Sequence, residues 1–415
     1  MAGGVTGVAG CGGGSTTDAS GDSETPSVTT RTDGVGDEAT PGQDVADQGD
    51  EREEIEWLMA HQNQHNNTAL ETWGPTAQPS VEWSFNTGYE VRADPLVTED
   101  TVYGISGDGY EGKAFAIDKA TGDKIWEYET GGTENSSPLL HDGTLFFGGR
   151  RFEQDGFGGA EFDGMLYALD AETGEERWLM NDDISDIIDG APAIREGTLY
   201  VGADNNLLYA VDVDSGEIQW GLNLGGAIRS KPAIVDNMLY VGILSSGSGG
   251  IHAIDLDAVE RRWYKSSNEF VENAVVYDED MLYAADHVTN YAIPADGSAK
   301  RWEYSSRRSA PTESVAAVRD QTAYLTSGGT VAAIDTATGE ERWANGIGGI
   351  GSPIPGGPVL AGDTVYVARG NLHALNAGTG EQRWELGTSY FRTTPVVVNG
   401  TIYVGGGDSV YALSA

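Results

Sequence analysis

ALDAETGEERW (168–178) is one of seven near-copies of a single eleven-residue phrase. Its companions are AIDKATGDKIW (116–126), AVDVDSGEIQW (210–220), AIDTATGEERW (333–343) and ALNAGTGEQRW (374–384), with two decayed versions, AIDLDAVERRW (253–263) and AIPADGSAKRW (292–302). Trp83 stands outside them, in the stretch VEWSF (81–85). The eight tryptophans are Trp83, Trp126, Trp178, Trp220, Trp263, Trp302, Trp343 and Trp384, spaced by 43, 52, 42, 43, 39, 41 and 41 residues. Self-similarity at such a period means a solenoid, a propeller or an array.

Working outward from 168–178 decides among these. Short apolar runs at 139–140, 144–147 and 165–169 are separated by the turn His141-Asp142-Gly143 and a loop, and the phrase then leads into a fourth run. Short β-branched and aromatic runs between Gly/Asp turns read as antiparallel strands. Four strands per unit with no amphipathic helical stretch is a propeller blade. The expected fold is therefore all-β, an eight-bladed propeller of four-stranded antiparallel blades. Within the phrase, Asp caps the turn with its carboxylate and Gly supplies a positive φ. The Trp opens the outer strand and buries a large ring against the neighbouring blade. The eight tryptophans are thus read as core and not as a ligand cage.

The two ends complete each other. After Trp384 three strands follow, at 394–398, 401–404 and 410–413, and the fourth is missing. Residues 81–85 have no strands before them, so pairing the termini closes the last blade and hides both sheet edges.

The phrase A-x-D-x-x-T-G-x-x-x-W resembles the tryptophan-docking repeat of the pyrroloquinoline-quinone propeller family, over residues 81–415. That resemblance implies one of two functional classes. One holds quinone-dependent dehydrogenases, with an Asp base, a Ca²⁺ held by Glu and Asn, and a disulfide between adjacent cysteines. The other holds non-catalytic lipoproteins and sensor domains, including the scaffold lipoprotein of the outer-membrane β-barrel assembly machine. This chain has one Cys and no Cys-Cys pair. Pyrroloquinoline quinone and Ca²⁺ belong to the enzyme class only, and none of its catalytic residues carries over. A fold so widely reused does not name an activity.

Charge bounds the setting. Acidic residues outnumber basic ones 65 to 24, for a net charge of −41, and only six of the basic residues are Lys. Such a charge favours solubility and costs compactness unless salt screens it. The acidic, Lys-poor pattern resembles haloarchaeal proteins. Nucleic acid is disfavoured as a partner because a phosphate backbone needs basic stripes. No run of 18 apolar residues offers a membrane span.

The N-terminus gives four segments: a remnant signal peptide and lipobox (1–11), an acidic tether (12–54), a leader packed on the propeller (55–80), and the propeller (81–415). Val8-Ala9-Gly10-Cys11 resembles a lipobox, in which Cys11 is lipidated. The stretch before it is shorter than a complete signal peptide requires, which points to an upstream start. Residues 12–54 carry 12 acidic and 2 basic residues, a composition that cannot offset ordering entropy by burial. His61 and His65 have an i, i+4 spacing suited to a metal, but lack a third ligand.

Two constellations are candidate sites. The bulkiest loop, 150–164, offers Arg150, Arg151, Phe152, Glu153, Asp155, Phe157, Glu161, Phe162 and Asp163 for a protein partner or a cation. The acidic inter-blade loop 181–189, with Asp182, Asp183 and Asp186, is expected beside it. The second is the channel mouth. Three residues before each inner-strand proline or its equivalent stand Arg92, Asn135, Asp189, Arg229, Glu272, Glu313, Pro355 and Arg392, a polarised ring able to orient an anion or a peptide.

The reading is an exported, lipid-anchored, monomeric propeller that binds a protein partner at the cell surface of a halophile, without catalysis or cofactor. The runner-up is a quinone-dependent dehydrogenase or quinone-binding relic. A sensor domain would need an attached kinase or span. Because surface carboxylates dominate the charge, the melting temperature should rise steadily from dilute buffer to molar KCl; calorimetry giving a flat profile would remove the halophile argument.

Overall fold

A computed structural model of the chain describes residues 64–415, apart from 133–135, 155–159, 182–183, 185, 246–247, 306–311 and 348–356. The chain divides into two units, Met1–Arg52 and Glu53–Ala415, and every described residue belongs to the second. Cys11, His61, Asn135, Asp155, Phe157, Asp182, Asp183 and Pro355 lie outside the described residues.

Among the described residues the regular structure is all strand. Six separate four-stranded antiparallel sheets follow one another along the sequence. In one of them Leu139–His141, Thr144–Gln154, Ala160–Asp170 and Glu176–Met180 pair in chain order. A larger sheet contains two further sets, joined by the single pair Phe391↔Gly406. In the first set Thr364–Asn376 turns back on itself at Gly370 (φ 69°), between Val359–Ala361 and Gln382–Phe391. The second set is Val396–Val398, Thr401–Gly406, Ser409–Ser414 and, from the other end of the chain, Ser80–Asn86. Trp83 stands opposite Ala412 in that last pairing, so the N-terminal strand completes the final blade as the repeat pattern predicts.

The repeated phrase works as its residue types dictate. Asp170 Oδ1 accepts the Glu172 and Thr173 N–H groups at 3.1 and 2.9 Å, and Asp118, Asp212, Asp335 and Asn376 cap their turns in the same way. A register shift lies beside the docking Trp in nearly every sheet, re-aiming the ring toward the next one. There the ring lies on the glycine of the neighbouring turn. Gly174 has φ 73°, and a Cβ on it would come within 2.6 Å of the Trp126 ring. The indole N–H then donates to that turn's backbone, Trp126 to Ala171 O at 2.9 Å and Trp343 to Ala377 O at 2.8 Å. Each Trp also meets an aromatic ring on the second strand of a sheet, at centroid distances from 5.8 Å (Phe146–Trp178) to 6.1 Å (Tyr103–Trp126).

Two joints depart from the pattern. Trp384 would dock on a turn that the last sheet lacks, because its outer strand comes from the N-terminus. Pro75 supplies the acceptor instead, its carbonyl receiving the Trp384 indole N–H at 2.9 Å and the Tyr366 hydroxyl at 3.2 Å. The other joint is the decayed phrase 253–263, where Val259 holds the glycine position at φ 52°. Trp220, which faces that turn, is the one docking Trp without an indole hydrogen bond among the described residues.

The leader forms a belt along the channel-facing edges of consecutive innermost strands. Ile234, Tyr277, Val318 and Leu360 occupy equivalent positions in four sheets. Their N–H groups donate to Gln64 O (2.8 Å), His65 O (2.9 Å), Asn67 Oδ1 (2.9 Å) and Thr68 O (3.1 Å) in turn. Asn66 Nδ2 donates to Lys231 O and Val275 O at 3.3 and 3.0 Å, and Asn67 Nδ2 to Val318 O at 2.9 Å. The asparagine amides, each both donor and acceptor, suit a strand that crosses its partners instead of pairing along them. Ala69–Leu70 then pairs in parallel with Leu360–Ala361, and Trp73 O accepts the Gly400 N–H at 3.0 Å.

A β-branched residue at positive φ stores strain of about 1–3 kcal/mol. Val259→Gly should therefore raise the unfolding free energy by about 1 kcal/mol, read as a higher midpoint in denaturant. A lower midpoint would mean that the Val259 side chain packs more than its backbone strains.

Candidate functional site: the channel mouth and the layer beneath it

The mouth is built by the segments that enter each innermost strand. A Ser or Thr hydroxyl next to the mouth residue accepts an N–H from the second strand of its own sheet, as from Gly148 to Ser136 (2.7 Å), Gly242 to Ser230 (2.8 Å) and Gly405 to Thr393 (2.8 Å). The next entry segment packs on those glycines. A Cβ on Gly148 would lie 2.4 Å from the Ile188 side chain, so the small residue sets the mouth's geometry.

The structure brings Arg92 and Arg392 together on the two closing sheets, through a residue outside the sequence-derived ring. Glu90 Oε2 receives Arg92 Nη2 at 2.7 Å, and Glu90 Oε1 receives Arg392 Nη1 at 2.5 Å. Burial works against ionisation of Glu90, and the two guanidiniums outweigh it, holding its carboxyl below the usual range. Farther round, Arg229 makes a two-pronged contact with Asp204 at 2.9 and 2.7 Å. That contact raises the Arg229 guanidinium above its ordinary value, against burial. Glu272 lies 3.1 Å from His287. Asp189 is half-buried beside Ile188 and Gly190, which are buried. Glu313 lies on the strand Thr312–Arg319, its side chain outside the description.

The expected loop 150–164 is mostly strand. Thr144–Gln154 and Ala160–Asp170 stay paired through Arg151↔Asp163, Phe152↔Phe162 and Glu153↔Glu161 to Gln154↔Ala160. The extra residues lengthen a hairpin because extended pairing satisfies backbone groups that a loop would leave to water. Arg151 pairs with Asp163 at 3.2 Å, and Arg150 Nε donates to Gly109 O at 2.9 Å. The segment containing Asp186 does lie beside this hairpin, Gly164 N donating to Ile184 O at 2.9 Å. The side chains of Phe152, Glu153, Glu161 and Phe162 are outside the description.

One layer below the mouth, the residues directly preceding the inner-strand prolines face the axis. Here the structure reveals a pair that the pattern reading missed, Asp94 and Lys231, both buried. Asp94 N donates to Ser137 Oγ at 2.9 Å, and Asp94 Oδ1 accepts the Thr394 N–H at 2.6 Å, so this one residue, through backbone and carboxylate, links three sheets. Burial pushes Asp94 up to about 6, against the Thr394 hydrogen bonds and the Lys231 charge. Burial pushes Lys231 down to about 7, against the attraction of Asp94. A signal existed in the sequence: the other copies before a proline here carry Ser, Ala, Gly or Thr, and Lys is rare in this chain. Below the pair runs the belt, with Asn66 on the Lys231 carbonyl.

A divalent cation of the kind the dehydrogenases use needs six or more converging oxygens. Among the described residues no three His, Cys, Asp or Glu side chains converge on a metal position. The mouth carboxylates Glu90, Asp204 and Glu272 sit on separate sheets, each engaged by a basic side chain. These described residues do not fit the Ca²⁺–quinone pair. His65 packs edge-on against Tyr277 at 5.3 Å, and burial lowers its pKa.

A family model described as outer membrane protein assembly factor BamB matches residues 76–161, 162–325, 242–355 and 327–415. No curated protein matches the sequence. Among solved structures the chain is similar to quinohemoprotein alcohol dehydrogenase from Comamonas testosteroni, with 17% identity and a TM-score of 0.68 over 86% of this chain and 80% of that one. It is similar to a europium-containing methanol dehydrogenase at 15% identity and 0.69, over 87% and 98% of the two chains. BamB from Moraxella catarrhalis aligns at 18% identity and 0.60, over 82% and 98%. Identities this low establish the fold alone.

Removing one partner of a buried charge pair typically costs about 3–5 kcal/mol, whereas replacing both is often neutral. Asp94→Asn and Lys231→Met should each destabilise the ring strongly, and the double variant much less than their sum. The linkage signs follow from the shifts. Stability falls as pH rises from about 4 to about 6 through Asp94, and as pH drops from about 10 to about 7 through Lys231. Both slopes should vanish in the double variant; additive losses in denaturant titrations would show that the two groups do not interact.

Proposed function

From the premise that this chain belongs to the family described as outer membrane protein assembly factor BamB, we propose that it is a non-catalytic binding scaffold outside the cytoplasm. The observation that carries this reading is the economy of the mouth. Glu90 joins Arg92 to Arg392, and Asp204 holds Arg229 across neighbouring sheets, while Asp94, Lys231 and the chain's own belt are buried beneath. Such an arrangement gives a rigid, patterned rim, suited to protein recognition. Among its described residues the one carboxylate–imidazole contact, Glu272 with His287, joins the two to each other, whereas proton transfer to a substrate requires an acid or base held toward a reacting atom.

Anchoring through Cys11 fits the small residues before it and the acidic stretch behind it. The −41 charge fits a surface adapted to concentrated salt. The same charge disfavours nucleic acid. The partner is a protein, and the propeller acts as a monomer on a lipid tether. The dehydrogenase reading rests on fold likeness to quinohemoproteins, and the engaged mouth carboxylates weigh against it.

Expressed with an upstream start, the protein should partition into membranes, and Cys11→Ser should move it to the soluble fraction. Purified material given pyrroloquinoline quinone and Ca²⁺ should show no dye-linked alcohol or sugar oxidation. Equal membrane retention of the Ser variant would remove the anchor, and quinone-dependent turnover would replace the scaffold with an enzyme.

A further inference from the structure

We infer that the arc of the mouth on the closing sheets docks an acidic, extended segment of a partner protein, with Arg392 and Arg92 receiving its carboxylates between Tyr390 and Tyr110. This assignment rests on the scaffold reading and gives that surface a partner chemistry.

The arc is one continuous surface. Gly370 lies against the Tyr390 ring, Gly407 N donates to Tyr390 O at 3.2 Å, and Val91 N donates to Gly407 O at 2.9 Å. Gly107 N then reaches Glu90 O at 3.1 Å, and Arg150 Nε reaches Gly109 O at 2.9 Å. Tyr390 and Tyr110 are 48% and 59% exposed, high for large aromatic rings. The Arg392 guanidinium lies 5.5 Å from the Tyr390 ring centre. Exposed Tyr beside Arg is the residue signature of protein interface anchors.

Charge selects the partner. Arg92 and Arg392 share this arc and Arg150 reaches its edge at Gly109 O, in a chain with 24 basic and 65 acidic residues. The arc's own carboxylates are turned to local tasks: Asp108 Oδ1 caps the Tyr110 and Glu111 N–H groups, Glu111 accepts the Tyr89 hydroxyl, Asp163 pairs with Arg151, and Asp408 accepts the Ser409 hydroxyl. Glu90 alone is shared by two guanidiniums. An arginine carries five N–H donors; Arg392 commits Nη1 to Glu90 while its side chain stays 22% exposed, and its Nε is buried out of a partner's reach. The geometry therefore has donors left for further carboxylates, with Glu90 as the internal competitor for them. An acidic partner meets repulsion over the rest of this surface and least of it here.

The test uses fluorescein-labelled hexaglutamate as probe and the full chain in about 1 M KCl, where the screening length is about 3 Å and the overall repulsion is suppressed. Fluorescence anisotropy should show binding that Arg392→Ala weakens about tenfold, the size of one lost charge-assisted contact. Glu90→Gln should tighten binding, a gain that a purely structural role for Glu90 does not produce. Arg177→Ala, in the turn phrase 168–178, should leave it unchanged, and melting curves should confirm that all variants fold. Equal binding by the Arg392 variant, weaker binding by the Glu90 variant, equal capture of hexaglutamine, or no binding at all overturns the docking assignment. Those outcomes leave the scaffold reading standing, since that reading falls only with quinone-dependent turnover.

Discussion

Everything in this ring depends on one joint repeated around it: an indole laid on a glycine of the next turn, its N–H fixed to that turn's backbone. The ring needs a surface without a Cβ, and the turn needs a positive φ, so one residue meets both demands. The joint is lateral, sheet to sheet, and each sheet by itself leaves a large aromatic face uncovered. Stability therefore belongs to the neighbours of a sheet as much as to its own strands, the usual condition of repeat architectures. Where the glycine is lost, at Val259, the backbone keeps the shape and the indole loses its acceptor. The geometry of the joint thus outlasts the residue that favours it.

The fold was legible because the joint has a short local code. Asp, Thr, Gly and Trp act within eleven residues, and the terminal pairing could be inferred from an unmatched count of strands at the two ends. The belt was not legible. Gln64, Asn66, Asn67 and Thr68 look like any polar linker, and their partners lie as far away as Leu360, 292 residues from Thr68. No periodicity marks a strand that crosses its partners one residue at a time.

The site was legible in part. Counting back from the prolines found Arg92, Arg229, Glu272 and Arg392, because position in a repeat predicts position on a rim. It did not find Glu90 or Asp204, which bind those cations from other turns, since pairing across sheets leaves no trace in a repeat alignment. The long insertion at 150–164 reads as a loop because its Gly and charged residues are those of one. Cross-strand pairing that extends a hairpin overrides local composition when the flanking strands are already in register.

The belt also fixes an order of events in the making of the protein. Gln64 emerges from the ribosome well before the strand that holds it, and Pro75 precedes the Trp384 it receives by 309 residues. The first strand of the ring has its mate, Ser409–Ser414, only after all the strands between them have been made. Contacts of such sequence separation are slow to form. The N-terminal strand must therefore wait until residues 409–414 exist, and the ring closes as a single late act.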